Sequence, residues 1–200
     1  MKKAPIQYSP NPSDLIAKFP RTQLKKGETV KIPVNFDSVL VYKDGTQELV
    51  QNIRSVTLEY PVESIFFVLN NRGVLKTKWG TPNRILVADI KGQAQMLGAF
   101  GRIEYSLQNP SKLIIKKMHS AERLIQSDLD QWVLELIPDA FNKYFATIQS
   151  LDIKDPAKLA IELKAKITPF LEALMDDLGL SLKSLTVENV NFDLPERTLS

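Results

Sequence analysis

The chain is predicted to be α+β, on the order in which its periodicities appear. Short runs with the two-residue alternation of strands fill the first half, and two long stretches with the 3.6-residue spacing of helices fill most of the second. One further strand-like run follows the helices, and no repeating strand–helix–strand pattern is present, so a parallel doubly wound sheet is not expected. With 200 residues, one main domain able to bury a sizeable core is the expectation.

Residues 1–28, with Pro5, Pro10, Pro12 and Pro20, read as an extended arm with little regular structure, tied down near Leu15, Ile16 and Phe19. The body is expected over 29–194, and 195–200 reads as a tail, with truncation of a longer protein left open. Strand character appears at 30–34, 38–42, 55–60, 63–69, 73–79, 84–90 and 93–107. Asp44-Gly45 is a tight-turn dipeptide closing the second of these runs. Asn70-Asn71-Arg72-Gly73, a cluster of turn formers, makes 62–79 a hairpin. In the last run Ile103, Tyr105 and Leu107 oppose Arg102, Glu104 and Ser106, so one face is buried and the other solvated. The same alternation puts Leu75, Thr77 and Trp79 opposite Val74, Lys76 and Lys78, which turns Trp79 toward the core.

Asn109-Pro110 starts a short helix over 111–118. From Leu129 the apolar residues Trp132, Val133, Leu136, Ile137, Ala140, Phe141, Tyr144, Phe145 and Ile148 keep to one helical face. Ser127-Asp128-Leu129-Asp130 is a capping start, and Pro138 implies a kink, because the stripe keeps its phase across it. Asp155-Pro156 is an N-cap followed by proline at the first helical position. The stripe Leu159, Leu163, Ile167, Phe170, Leu171, Leu174 and Leu178 ends at Gly179, a left-handed cap. Strand character returns over 182–192.

Composition removes several chemistries. There is no cysteine, hence no disulfide, thiolate nucleophile or zinc ribbon. His119 is the single histidine; it leaves no histidine triad and no two-histidine metal site, and a lone surface histidine is its plainest reading. Lys and Arg number 26 against 23 Asp and Glu, for a net charge of +3. That is too even for a duplex-binding stripe, so nucleic acid is not expected as a partner. No apolar run reaches the roughly 18–20 residues of a spanning helix. Asp176 and Asp177 are adjacent, diverge by about 100° on a helix, and make no catalytic pair. Phosphate loops and nucleophile elbows are absent, and neither a cofactor nor a metal is expected.

Trp79-Gly80-Thr81-Pro82-Asn83 allows two readings. A structural hairpin with Trp79 filling the core edge is favoured, because Gly-Thr-Pro-Asn is turn chemistry in its own right; a peptide- or lipid-contacting loop is the other. Lys76, Lys78, Arg84 and Lys91 flank it and, with Trp79, form the candidate interaction surface. Each base could contribute about 1 kcal/mol against an anionic leaflet, with a solvated face as the simpler alternative. Lys112, Lys116 and Lys117 read as a solvated helix face.

Lys78-Trp79-Gly80-Thr81-Pro82-Asn83, followed by Ala99-Phe100-Gly101, Asn109-Pro110 and Leu113, resembles the SPFH or band 7 (stomatin–prohibitin–flotillin) superfamily, in particular its virion-core-protein-like branch. Phe19-Pro20-Arg21 with the run from Ser38 to Gly45, and Pro169 with the run from Leu178 to Val190, resemble the opening and closing segments of that family, so the likeness spans roughly 13–194. The resemblance implies a curled, mainly antiparallel sheet packed against two or three amphipathic helices, with a late strand. It also implies a non-enzymatic scaffold that organises proteins at a membrane surface, as a homo-oligomer with peripheral contact to anionic lipid, on the cytoplasmic side. The alternative is a soluble adaptor that binds a protein partner and no lipid.

Overall fold

The computed structural model describes residues 4–193 apart from Asn71, Pro82 and His119. The expectations for His119, for two of the turn residues, and for the 195–200 tail therefore lie outside the described residues. The α+β class stands: mainly antiparallel strands, three helices and a late strand make up the described chain. They do not form one β-layer. The contacts divide into two compact units, Met1–Gly73 with Leu107–Leu129, and Val74–Ser106 with Asp130–Ser200.

The first unit holds β1 (Asp14–Lys18), β2 (Thr29–Lys31), β3 (Phe36–Val41), β4 (Gln47–Val50), β5 (Ser55–Thr57), β6 (Ser64–Leu69), α1 (Pro110–Lys117) and β10 (Arg123–Ile125). Five of these make a sheet in the order β10-β1-β6-β3-β4, and β2 pairs with β5. β3 and β4 close through Asp44-Gly45, with Gly45 at φ 82° and Tyr42 N–H donating to the Thr46 carbonyl at 3.0 Å. Phe19, Leu24, Phe36, Leu40, Ile65 and Phe67 lie in one buried cluster, where Phe19 and Phe67 meet edge to face at 6.0 Å.

The expected loose arm contains β1. Asp14 to Ala17 are all buried, and the strand pairs with β6 on one side and β10 on the other. A strand buried on both faces has no alternation to read, which is why Leu15-Ile16-Ala17 gave no strand signal.

The second unit holds β7 (Leu75–Gly80), β8 (Ile85–Ala88), β9 (Ala94–Leu107) except its last residue, most of α2 (Gln126–Phe145), α3 (Pro156–Asp177) and β11 (Leu180–Asp193). Its sheet runs β11-β9-β7, with β8 also on β9. The expected 62–79 hairpin is not formed, because β6 takes β1 and β3 as neighbours while β7 takes β9. The turn residues redirect the chain; partners distant in sequence decide the pairing.

α2 passes through Pro138 as a single helix, as the unbroken stripe requires. It begins at Gln126, slightly earlier than the expected cap, and Asp128 reaches back to accept from Ile125 N–H at 3.1 Å. Asp155 caps α3 by accepting from Ala157 and Lys158 N–H, and Gly179 at φ 81° ends it. Leu159, Leu163, Ile167, Leu171 and Met175 form its buried stripe.

Candidate interaction surface

β7 and β8 are both antiparallel to β9, so they run in the same direction, one after the other along it. Gly80 faces Phe100 and Ile85 faces Leu97. Between these two pairs β9 has only Gly98 and Ala99. Past Gly80 the chain bulges at Thr81 within a continuing strand direction, and the expected hairpin bend is corrected. Thr81 holds the bulge: its N–H donates to the Ala99 carbonyl at 2.9 Å, and its hydroxyl accepts from Ala99 N–H at 3.1 Å. The hairpin lies one strand later, between β8 and β9. There Asp89 Oδ1 accepts from Lys91 and Gln93 N–H, each at 2.8 Å, and Gly92 takes φ 74°.

Trp79 is 4% exposed and supports the surface from beneath without lining it. Its ring lies 5.9 Å from Phe141, and its indole N–H donates to the Thr186 carbonyl on β11 at 3.1 Å. Gly101, directly opposite Trp79 in the register, permits this. A Cβ there would sit 1.9 Å from the Thr186 oxygen and 3.1 Å from the indole nitrogen. The Thr186 hydroxyl in turn accepts from Arg102 N–H at 3.1 Å and lies 3.3 Å from its carbonyl. A side chain thus takes part in the β9–β11 ladder where the Thr186 carbonyl has turned to the tryptophan.

Residues opposite one another in a ladder share a face. The register pairs Lys76 with Glu104, Lys78 with Arg102, Gly80 with Phe100, and Leu86 with Met96, so all of these stand on the outer face of the sheet. Lys76 is held by Glu104 at 2.7 Å and Arg102 by Glu188 at 2.8 Å. Arg84 pairs with Asp193 at 2.6 Å and donates to the Met96 carbonyl at 3.4 Å. Its guanidinium carbon lies 3.7 Å from the point a Gly98 Cβ would occupy, beside Asn191. Lys78 and Lys91 are exposed and have no ion-pair partner among the described residues. Leu86 is 63% and Phe100 44% exposed, with Ile90 at 49% in the adjoining turn.

The structure therefore places Lys76, Lys78 and Arg84 about one outer face, leaves Lys91 in the β8–β9 turn, and removes Trp79 from the surface. Leu86 and Phe100 are the members that sequence reasoning missed. The signal was available for Phe100: continuing the Arg102 and Glu104 alternation two residues back puts Phe100 on the solvent side.

Elsewhere in this unit the Tyr105 hydroxyl hydrogen-bonds to Asp130. Burial, then the bond to and the charge of Asp130, push that hydroxyl far above its ordinary value of 10.0. It is a neutral structural donor. No group of three metal-ligating side chains is placed to hold an ion among the described residues, and no helix there is long and apolar enough to cross a membrane. Residues 52–198 match the family model described as the SPFH domain-Band 7 family. No curated protein matches the chain.

Proposed function

Because the chain belongs to the SPFH domain-Band 7 family, a membrane-associated family of scaffold type, we propose that it is a non-enzymatic scaffold that organises proteins at a membrane surface through self-association and peripheral contact with anionic lipid. The outer face of the β7–β8–β9 sheet carries the reading. Leu86 and Phe100 stand out of it, and Lys78 and Lys91 offer charge with no ion-pair partner among the described residues. Apolar tips beside bases suit an interface where hydrocarbon and phosphate are met together. Each base contributes about 1 kcal/mol beside a charged leaflet, which makes the contact weak and salt-sensitive.

Co-sedimentation with phosphatidylserine-containing and neutral vesicles tests the contact. Binding is expected to the anionic vesicles at low salt, to fall as salt shortens the screening length, and to weaken roughly tenfold or more in the double variant Lys78→Glu/Lys91→Glu. Absence of binding to anionic vesicles at low salt would overturn the lipid contact. It would favour the second reading, an adaptor whose exposed Leu86, Ile90 and Phe100 dock on a protein.

A further inference from the structure

We infer that the outward face of α3 is a self-complementary surface on which a second copy of this chain docks antiparallel, the two-fold axis passing close to Ala165. The inference rests on the self-association in the proposed function and names the surface that performs it.

The buried stripe of α3 fixes which way the helix faces. At about 100° per residue, Ala165 lies opposite the centre of the buried line through Leu159, Leu163, Ile167 and Leu171. Lys158, Ile161, Pro169 and Glu172 lie within about 40° of Ala165 on the same side. All five are exposed. Ile161 is 73% exposed, the highest value among the exposed large apolar side chains, and it sits on a helix that already buries a full stripe elsewhere.

Charge identifies the occupant. A helix favours acids in its first turn and bases in its last. Beyond the capping Asp155, α3 has no acid in the first turn and no base in the last; Lys158 lies near its start, and Glu172, Asp176 and Asp177 lie toward its end. For an isolated helix this arrangement is unfavourable. Against an antiparallel copy the same arrangement is favourable, because each basic start meets an acidic end and the two macrodipoles oppose one another. With the axis at Ala165, Lys158 of each copy faces Glu172 of the other, Ile161 faces Pro169, and Ala165 faces itself across a contact with no bulky side chain to separate the helices. A parallel pair would set like charges side by side at both ends.

A pair of helices about 33 Å long buries an area at the low end for specific association, so the dimer is expected to form reversibly at micromolar concentration. The absence of cysteine makes disulfide mapping clean, and bridging requires α-carbons roughly 4.4–6.8 Å apart. Under mild oxidation Ala165→Cys is expected to form a covalent dimer. Ile161→Cys alone is expected to give none, and Ile161→Cys mixed with Pro169→Cys a heterodimer. In sedimentation equilibrium, Lys158→Glu is expected to raise the dimer dissociation constant at least tenfold and Lys158→Glu/Glu172→Lys to restore it. These positions are exposed, and circular dichroism checks that the variants stay folded. Cross-linking of Ile161→Cys with itself as readily as Ala165→Cys, no cross-linking of folded Ala165→Cys, or failure of the double charge reversal to restore association would each overturn the inference. Vesicle binding by the unmodified chain is a separate readout: its loss with cross-linking intact strikes the lipid contact alone.

Discussion

At Gly101 the absence of a side chain decides how three strands meet. The Thr186 carbonyl occupies the place of a Cβ, and the obstructing atom belongs to backbone, which cannot swing away. Gly101→Ala is therefore expected to destabilise the fold by about 3 kcal/mol, the upper range for overpacking a close-fitted site, read as a lower urea midpoint. Trp79→Phe keeps the ring against Phe141 but removes the donor to the part-buried Thr186 carbonyl, at a cost of about 1 kcal/mol. Tyr42 gives a pH handle. Burial first, then its hydrogen bond to and the charge of Glu48, push its hydroxyl up from 10.0 to about 12. A raised acid favours the neutral form in the folded state, so this contribution is whole below pH 10.0 and is lost as pH rises toward about 12. Urea midpoints measured from about pH 8 upward should fall across that window. The fall should be shallower in Tyr42→Phe.

Among the elements, α3 was the most legible. Asp155, Pro156, the apolar stripe and Gly179 all act as their positions in the sequence implied. Asp155→Ala removes the acceptor for Ala157 and Lys158 N–H and is expected to cost about 1 kcal/mol, with Asp155→Asn costing less. Thermal denaturation of the two variants beside the parent checks this. β7 was legible in alternation and misread in connection. Gly80 through Asn83 has the composition of a turn, yet the chain continues along β9 because Thr81 supplies a side-chain acceptor where the ladder would otherwise break. Turn residues license a change of direction without requiring one. β1 and β10 were illegible for opposite reasons: β1 is buried on both faces, and β10 is three residues long.

For the molecule as a whole, neither unit is continuous in sequence. The first takes Leu107–Leu129 from beyond the second's first segment, and that insert brings the fully buried Leu113 and Met118 together with β10, the neighbour of β1. A fragment of residues 1–73 is accordingly expected to lack a cooperative urea transition that the full chain shows. A sharp transition in the fragment, of comparable steepness per residue, would mean that the insert is dispensable.

The amino-acid sequence by itself determined what depends on near neighbours along the chain. This covers the α+β class, the three helices and the caps of α3, the buried side of β9, the inward turn of Trp79, and the family. The family rests on a resemblance in motifs; the rest follows from periodicities and capping patterns confined to a few residues. Tertiary structure alone decided which strands pair, that they form two units, that β1 is an interior strand of its sheet, and that the chain continues along β9 past Trp79 and Gly80. It also decided which apolar residues stand exposed beside the bases. Such outcomes depend on hydrogen bonds and packing between residues far apart in sequence, as between Trp79 and Thr186, and a local pattern carries no record of a distant partner.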